Sequence, residues 1–160
     1  MYGNPMHNLY RNTMAYTGQA PWHKLGVQFD QAFTSQEAIS AAHLDYLVLK
    51  EQLYRRRPDL GPLVSEPIEA WATINADTQD VLGVVGDVYE VLQNQEAFDF
   101  FDILLKESGG KLQTAGAIGK GEKVWMLAKL PEVFYPLAGD GVEKYLLGTT
   151  SHDGLSLIHI

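Results

Sequence analysis

The spacing of apolar residues along the chain predicts two helices. Between residues 95 and 107 the apolar positions recur at the intervals that place them on one face of a helix. Gly109-Gly110 follows and is suited to end this helix. A shorter helix is predicted over 35–43, because Thr34 and Glu37 have the spacing of a capping box. The buried stripe of the main helix is expected to consist of Ala97, Phe98, Phe101, Leu104 and Leu105.

Alternation of apolar and polar residues predicts strands in the rest of the chain. Residues 45–54 alternate throughout, whereas 55–67 contains three prolines and is predicted to be a loop. Two hairpins and one further strand are expected at 69–75 with 80–85, 111–118 with 123–130, and 143–150. The predicted fold class is α+β, with a mainly antiparallel sheet of two hairpins plus flanking strands, packed by the main helix and the short helix.

The same patterns divide the chain into an arm and a domain. Residues 1–33 show no clean period and contain several glycines and prolines, so we expect an irregular N-terminal arm. Residues 34–154 are predicted to form a single α+β domain. The expected anchors of the arm are Trp22, Leu25, Val27 and Phe29. The main helix is expected to pack on the hairpins at Trp71, Ile74, Val84, Val124 and Met126.

Composition supports a folded domain and excludes several kinds of chemistry. The 160 residues are 46% hydrophobic and 20% charged, which is typical of a globular domain with one core. The chain contains no cysteine, which excludes disulfides, thiolate nucleophiles and iron–sulfur clusters. It has no apolar run long enough to span a membrane, and its N-terminus does not resemble a secretory signal. We therefore expect a cytoplasmic protein.

Charge is distributed unevenly along the chain. The net charge is −8, and residues 61–160 alone, with six lysines and fifteen acidic residues, carry −9. An acidic body repels nucleic acid at long range. A nucleic-acid function would therefore need a local basic site.

One such site is present in the sequence. Arg55, Arg56 and Arg57 directly follow Tyr54 at the end of a predicted strand that also carries Lys50. Arginines that contact phosphates beside aromatic rings that stack on bases are typical of proteins that hold single strands. These five residues are the predicted nucleic-acid-binding residues, and Trp22, His23 and Lys24 are a second choice.

Other motifs favour structural roles over catalysis. The glycine-rich segment 116–121 lacks the spacing of a phosphate loop and is predicted to be a hairpin tip. Ser151-His152-Asp153 is predicted to be a turn, because adjacent residues cannot form a catalytic triad. Glu96, Asp99 and Asp102 suit the solvated face of a helix better than a metal site. The sequence predicts no catalytic residue, no metal ligands and no cofactor.

Four blocks occur together in an order that resembles a known family. They are Pro21-Trp22-His23 with Leu25-Gly26, and the segments 83–102, 115–131 and 144–154. They are similar to the phage/plasmid-like protein family, domain of unknown function 932. The resemblance implies an accessory protein of a phage or plasmid in a bacterial host, and it supplies no reaction. It also implies that the chain is an N-terminal fragment, with residues 155–160 as a non-native tail.

Three functions follow as hypotheses. The first is nucleic-acid handling, by binding or annealing of single strands through the arginine cluster. The second is a protein-interaction or assembly module, with a phage, plasmid or host protein as partner and no nucleic-acid contact. The third is a metal-dependent hydrolytic enzyme that uses His23, Asp87 and His152.

Overall fold

The computed structural model describes residues 8–137 and 139–155, which form eight strands and two helices. The expectation of a non-native tail over 155–160 lies outside the described residues, apart from Leu155. The strands are β1 (Leu9–Thr17), β2 (Val27–Phe29), β3 (Val48–Arg56), β4 (Ser65–Asn75), β5 (Val81–Val85), β6 (Lys111–Ile118), β7 (Lys123–Leu137) and β8 (Asp140–Ser151). The helices are α1 (Ser35–Ala41) and α2 (Asn94–Ser108).

The strands form two sheets, and the fold class is α+β as predicted. One sheet has five strands in the order β2-β1-β6-β7-β8, and the other has three in the order β3-β4-β5. All pairs are antiparallel except β1 with β2. Each predicted hairpin is present, but the sequence did not predict that the two lie in different sheets.

The start of α1 and the end of α2 have the expected local chemistry, whereas α2 begins at Asn94 with Gln93 as its N-cap, and Asn94 is not the cap that its residue type predicts. The hydroxyl of Thr34 accepts the backbone N–H of Glu37, and the Glu37 carboxylate accepts that of Thr34, so the capping box at α1 is confirmed. Gly109 follows α2 with φ of +69°, the left-handed conformation that suits glycine.

Among the described helices, none is long and apolar enough to cross a membrane.

The prediction of an irregular arm over residues 1–33 is wrong at residues 9–17, and its residues 1–7 lie outside the described part of the chain. Residues 9–17 form β1, which lies between β2 and β6 in the five-stranded sheet. Arg11 and Asn12 both have positive φ, and the register with β6 shifts between Leu9 and Met14. Because this irregularity interrupts the alternation of side chains, the sequence pattern conceals the strand.

The predicted anchors of the arm are only partly correct. Phe29 packs against the core, but Trp22 is 66% exposed and Val27 is 42% exposed.

The predicted loop over 55–67 is also wrong at its ends, because β3 continues to Arg56 and β4 begins at Ser65. Pro67 lies in the part of β4 that extends beyond β5. Because no β5 residue pairs with it there, its missing N–H is tolerated.

The core lies between the two sheets and the two helices. Phe98, Phe101 and Leu105 of α2 are buried in it together with Val124 and Met126 of β7, as predicted. Val84 is wrong as a core residue, because it is 60% exposed. Its neighbour Val85 is buried, and because side chains alternate along a strand, Val84 lies on the outer face of the three-stranded sheet.

Buried polar bonds join the two sheets near the end of β8. The backbone N–H of His152 donates to the Glu122 carbonyl at 2.7 Å, and the Thr73 hydroxyl donates to the His152 carbonyl at 2.5 Å. A Cβ at Gly83 of β5 would come within 2.5 Å of the Asp153 backbone, so this glycine permits the close approach. The segment after β8 therefore packs directly on β4 and β5.

Candidate nucleic-acid interface

The predicted arginine cluster lies on a two-stranded ribbon at one end of the three-stranded sheet. Tyr54, Arg55 and Arg56 pair with Pro67, Glu66 and Ser65, whereas β5 pairs with β4 only from Trp71 to Ile74. The β3–β4 ribbon therefore extends beyond β5, and its side chains have solvent on both faces. Tyr54, Arg55 and Arg56 are all exposed, and Arg57 is partly exposed.

One face of the ribbon carries ion-paired arginines. The Nε atom of Arg55 lies 2.5 Å from the Glu66 carboxylate, and Arg57 lies 2.8 Å from Glu66 and 2.7 Å from Asp59. Hydrogen bonding to Asp59 and then to Glu66 raises the pKa of Arg57, and Arg57 lowers the pKa of Asp59. The two arginines and two carboxylates cancel in charge, so this face holds the ribbon together but offers no net attraction for phosphate.

The opposite face carries a different set of side chains. The register shift between Gln52 and Tyr54 inserts its additional residues in β4, so the alternation along β3 is unbroken. Trp71 pairs with Gln52 and therefore lies on this face. We call the resulting surface the basic–aromatic row; it consists of Lys50, Gln52, Tyr54 and Arg56 of β3 and Trp71 of β4.

The groups of the basic–aromatic row are held in defined positions. The Lys50 ammonium lies 5.0 Å from the centre of the Trp71 ring and donates to the carbonyls of Asp87 and Tyr89 at 2.6 and 2.8 Å. Arg56 donates to the Pro62 carbonyl at 2.8 Å and, among the described residues, has no carboxylate within ion-pair distance. Tyr54 is 60% exposed between them. Two cationic and two aromatic side chains thus share one face of the ribbon.

The second-choice residues belong to the other sheet. Trp22, His23 and Lys24 lie in the connection from β1 to β2, so the structure does not place them on the ribbon. The indole of Trp22 contacts the His23 ring edge-to-face at 5.3 Å, and the His23 Nδ1 accepts the Leu25 N–H at 3.0 Å. His23 therefore shapes this turn, and Trp22 presents an exposed ring beside it.

The residues proposed for hydrolysis do not form an accessible site. His152 is fully buried, its Nε2 lies 2.8 Å from the side-chain Oδ1 of Asn94, and burial lowers its pKa to about 4. Ser151 bonds to Asp153 and not to His152, so the turn interpretation of this segment agrees with the geometry. No group of three metal-ligating side chains occurs in the described part of the chain.

Trp71 is the residue of this interface that sequence analysis assigned to the wrong role. Its alternating neighbours predicted a core position, but it is only half-buried and contacts Lys50. The signal that could identify it is its cross-strand pairing with Gln52, which places it on the face that carries Lys50. Cross-strand register cannot be read from the pattern of one strand.

Comparison with known proteins identifies a family and no activity. The family described as Domain of unknown function (DUF932) matches residues 81–160, which include β5, α2 and the strands from β6 to β8. No curated protein and no solved structure matches the chain. The basic–aromatic row lies outside the matched segment.

Proposed function

The chain belongs to the DUF932 family, whose description assigns no activity, and we propose that it handles nucleic acid by holding single strands on the β3–β4 ribbon. The observation that carries this proposal is the basic–aromatic row, in which Lys50, Tyr54 and Arg56 share one face with Trp71. Aromatic faces stack on bases of any sequence, and the cations contact phosphates. The row is short, so we expect weak binding with little sequence preference.

The acidic body determines how this binding should depend on conditions. With a net charge of −8, the protein repels a polyanion except where the ribbon projects. A duplex, which is rigid and more highly charged, should be rejected more strongly than a flexible single strand. By its resemblance to phage- and plasmid-encoded proteins, we further propose that the chain acts in the bacterial cytoplasm on the nucleic acid of such an element.

Titration of a labelled single-stranded oligothymidylate, followed by fluorescence anisotropy at two salt concentrations, tests the proposal. Tyr54→Ala should weaken binding by about 5–150-fold, the range for loss of one stacked base. Arg56→Gln should reduce the slope of log K against log salt by about 0.7, the value for one phosphate contact on a single strand. Lys120→Gln, an exposed lysine on a hairpin of the other sheet, is the matched control and should change neither.

Absence of binding at low salt, where electrostatic attraction is strongest, would contradict the proposal. If Arg56→Gln and Lys120→Gln change the affinity and its salt dependence equally, the proposal is also contradicted, because binding would then depend on the overall charge of the protein and not on a defined site. A preference for duplex over single strand would exclude stacking on Tyr54 and Trp71.

An exposed apolar sheet face favours a second candidate function, assembly of two copies. Leu47, Leu49, Val81 and Val84 are each at least 38% exposed on the outer face of the three-stranded sheet. Contiguous apolar surface of this kind marks interaction sites. Sedimentation of the wild type and of Leu49→Lys tests it: a dimer that the lysine dissociates supports assembly, and a wild-type monomer contradicts it.

A further inference from the structure

The loop that joins β3 to β4 exposes large apolar side chains at the end of the ribbon. Leu63 is 93% exposed, Leu60 is 62% exposed, and Val64 beside them is 38% exposed. We call these three residues the apolar tip. Single exposed apolar residues are common on protein surfaces, but a cluster of them marks a site that contacts another molecule. The apolar tip directly follows Arg56, the last residue of the basic–aromatic row.

Hydrogen bonds hold the loop of the apolar tip in a defined conformation. The Arg57 N–H donates to the Val64 carbonyl at 2.7 Å, and the Leu60 N–H donates to the Arg57 carbonyl at 3.0 Å. The Arg56 guanidinium donates to the carbonyl of Pro62, a residue whose ring restricts the backbone. Because the loop is already ordered, binding through its leucines costs little conformational entropy.

Charge around the apolar tip favours a polyanion as its partner. Residues 54–64 contain three arginines and one aspartate, a net charge of +2, so the rest of a chain with a total of −8 carries −10. A second copy would bring two positive tips together, which is unfavourable. Insertion into a lipid surface would carry the carboxylate of Asp59, the neighbour of Leu60, out of water at a large cost.

The end of a duplex offers an apolar surface beside a polyanion. Where a single strand continues from a duplex, the last base pair exposes one aromatic face to water, and the phosphates of the strand run on past it. Apolar side chains such as leucine contact base faces in proteins that insert them between base steps. A single strand that follows the row from Lys50 reaches Arg56 at the base of the apolar tip. The start of a duplex on that strand would therefore meet Leu60 and Leu63.

We propose that the apolar tip recognises the junction between a single strand and a duplex, with Leu60 and Leu63 covering the last base pair. The inference rests on the proposed function, because the single strand lies on the basic–aromatic row, and it adds the substrate class, a partly single-stranded nucleic acid. The duplex lies beyond the end of the ribbon, away from the acidic body. Recognition of a junction is therefore compatible with rejection of a duplex that has no single strand.

Fluorescence anisotropy with three labelled DNAs tests the inference: a hairpin duplex with an oligothymidylate overhang, the same overhang alone, and the blunt hairpin. The overhang hairpin should bind about tenfold more tightly than the overhang alone, as expected for partial burial of the leucine side chains, and the blunt hairpin should bind most weakly. Leu60→Ser and Leu63→Ser, at exposed positions that should not affect folding, should each remove most of this gain. Neither should change the affinity for the overhang alone.

A matched control and a second readout sharpen this experiment. Ile103→Ser replaces an apolar residue of α2 that is 61% exposed, almost the same as Leu60, and it should change none of the three affinities. The imino proton of the last base pair should exchange with water more slowly when the wild type is bound, because a covered pair opens less often. Leu63→Ser should restore the faster exchange.

The outcomes separate this inference from the proposed function. If the wild type binds the overhang and Tyr54→Ala weakens that binding, but the overhang hairpin gains no affinity, the inference is wrong and the proposed function stands. Equal loss of affinity for both DNAs in Leu63→Ser would also overturn the inference, because the tip would then contact the single strand and not the junction. No binding to any of the three DNAs would overturn both.

Two further measurements exclude other partners for the apolar tip. Binding to phosphatidylglycerol vesicles that Leu63→Ser abolishes would overturn the inference and assign the tip to a lipid surface. A dimer in sedimentation that the same variant dissociates would overturn it and assign the tip to a second copy.

Discussion

His152 lies where three parts of the chain meet, and its surroundings set its protonation state. Its ring bonds to Asn94 of α2, its N–H to the carbonyl of Glu122, and its carbonyl to the hydroxyl of Thr73. The ring is fully buried, and burial lowers its pKa to about 4 despite the neighbouring Asp153. The histidine is therefore neutral at physiological pH and holds elements together.

Protonation of His152 should destabilise the protein in acid. The unfolded chain binds a proton at this histidine near pKa 6.5 and the folded chain only near 4, so the unfolded state binds more protons between these values. The free energy of unfolding should fall by about 3 kcal/mol as pH decreases from about 6.5 to 4 and should level off for this group below that. Urea denaturation across this range measures the fall.

Two variants isolate the contribution of His152. His152→Gln should be less stable at neutral pH but should lose the part of the pH dependence between about 6.5 and 4. His43→Asn replaces an exposed histidine whose φ of +54° asparagine tolerates, and it should keep the wild-type dependence. If His152→Gln retains the full slope, another group is responsible.

At the scale of elements, α2 is the best example of sequence determining structure. Its apolar spacing, the glycine at its end and its buried residues were all readable from the chain, because helix contacts are local. The hairpins at 69–85 and 111–130 were readable for the same reason, since turn residues join strands that are adjacent in sequence. β1 could not be predicted in this way, because its antiparallel partner β6 is distant in sequence and because Arg11 and Asn12, which have positive φ, interrupt its alternation.

Two adjacent phenylalanines of α2 give a matched test of this packing. Phe101→Ala should lower the free energy of unfolding by about 3–5 kcal/mol, since Phe101 is 3% exposed in the core. Phe100→Ala should cost less than about 1 kcal/mol, because its ring is half in solvent. Urea denaturation of both variants measures the difference, and equal losses would show that the helix is rotated from the orientation described.

Gly148 gives a second test, of the contact between α2 and β8. Gly148→Ala should destabilise the protein by about 1–3 kcal/mol, because its Cβ would collide with the Phe101 ring. Gly86→Ala is the control, since a Cβ there meets nothing within 4 Å. Thermal or urea denaturation that finds the two alanines equivalent would contradict the close approach of helix and strand.

The candidate interface could be predicted from sequence only in part. Arg55, Arg56 and Arg57 are basic residues beside an exposed tyrosine in any conformation, so the cluster itself was evident. The sequence did not show that these arginines divide between an ion-paired face and an open face. That division depends on the pairing of Arg55 with Glu66 across the ribbon. Cross-strand register needs the partner strand and its bulge, and neither is encoded in the cluster.

At the scale of the whole molecule, the two sheets share one core and a set of buried polar bonds. Asn75 of β4 donates to the Tyr10 hydroxyl of β1 at 3.1 Å, and the Tyr46 hydroxyl donates to the Gly121 carbonyl at 2.8 Å. Because separation of the sheets would leave these groups unpaired, the sheets should unfold together.

Tryptophan fluorescence can report each sheet separately. In a Trp22→Phe background, Trp71→Phe leaves Trp125 of β7 as the reporter, and Trp125→Phe leaves Trp71 of β4. In each variant the fluorescence midpoint in urea should coincide with the circular-dichroism midpoint of that same variant. A fluorescence transition that precedes loss of secondary structure in either variant would show that one sheet unfolds first.

The position of β1 in the five-stranded sheet has a consequence for synthesis on the ribosome. β1 leaves the exit tunnel early, but its antiparallel partner β6 begins only at Lys111. The three-stranded sheet is built from consecutive strands and can form in the interval. Tyr10, Met14 and Ala15, buried in the finished sheet, remain in water until β6 arrives. The nascent chain should therefore engage chaperones at β1 and be released once translation has passed β6.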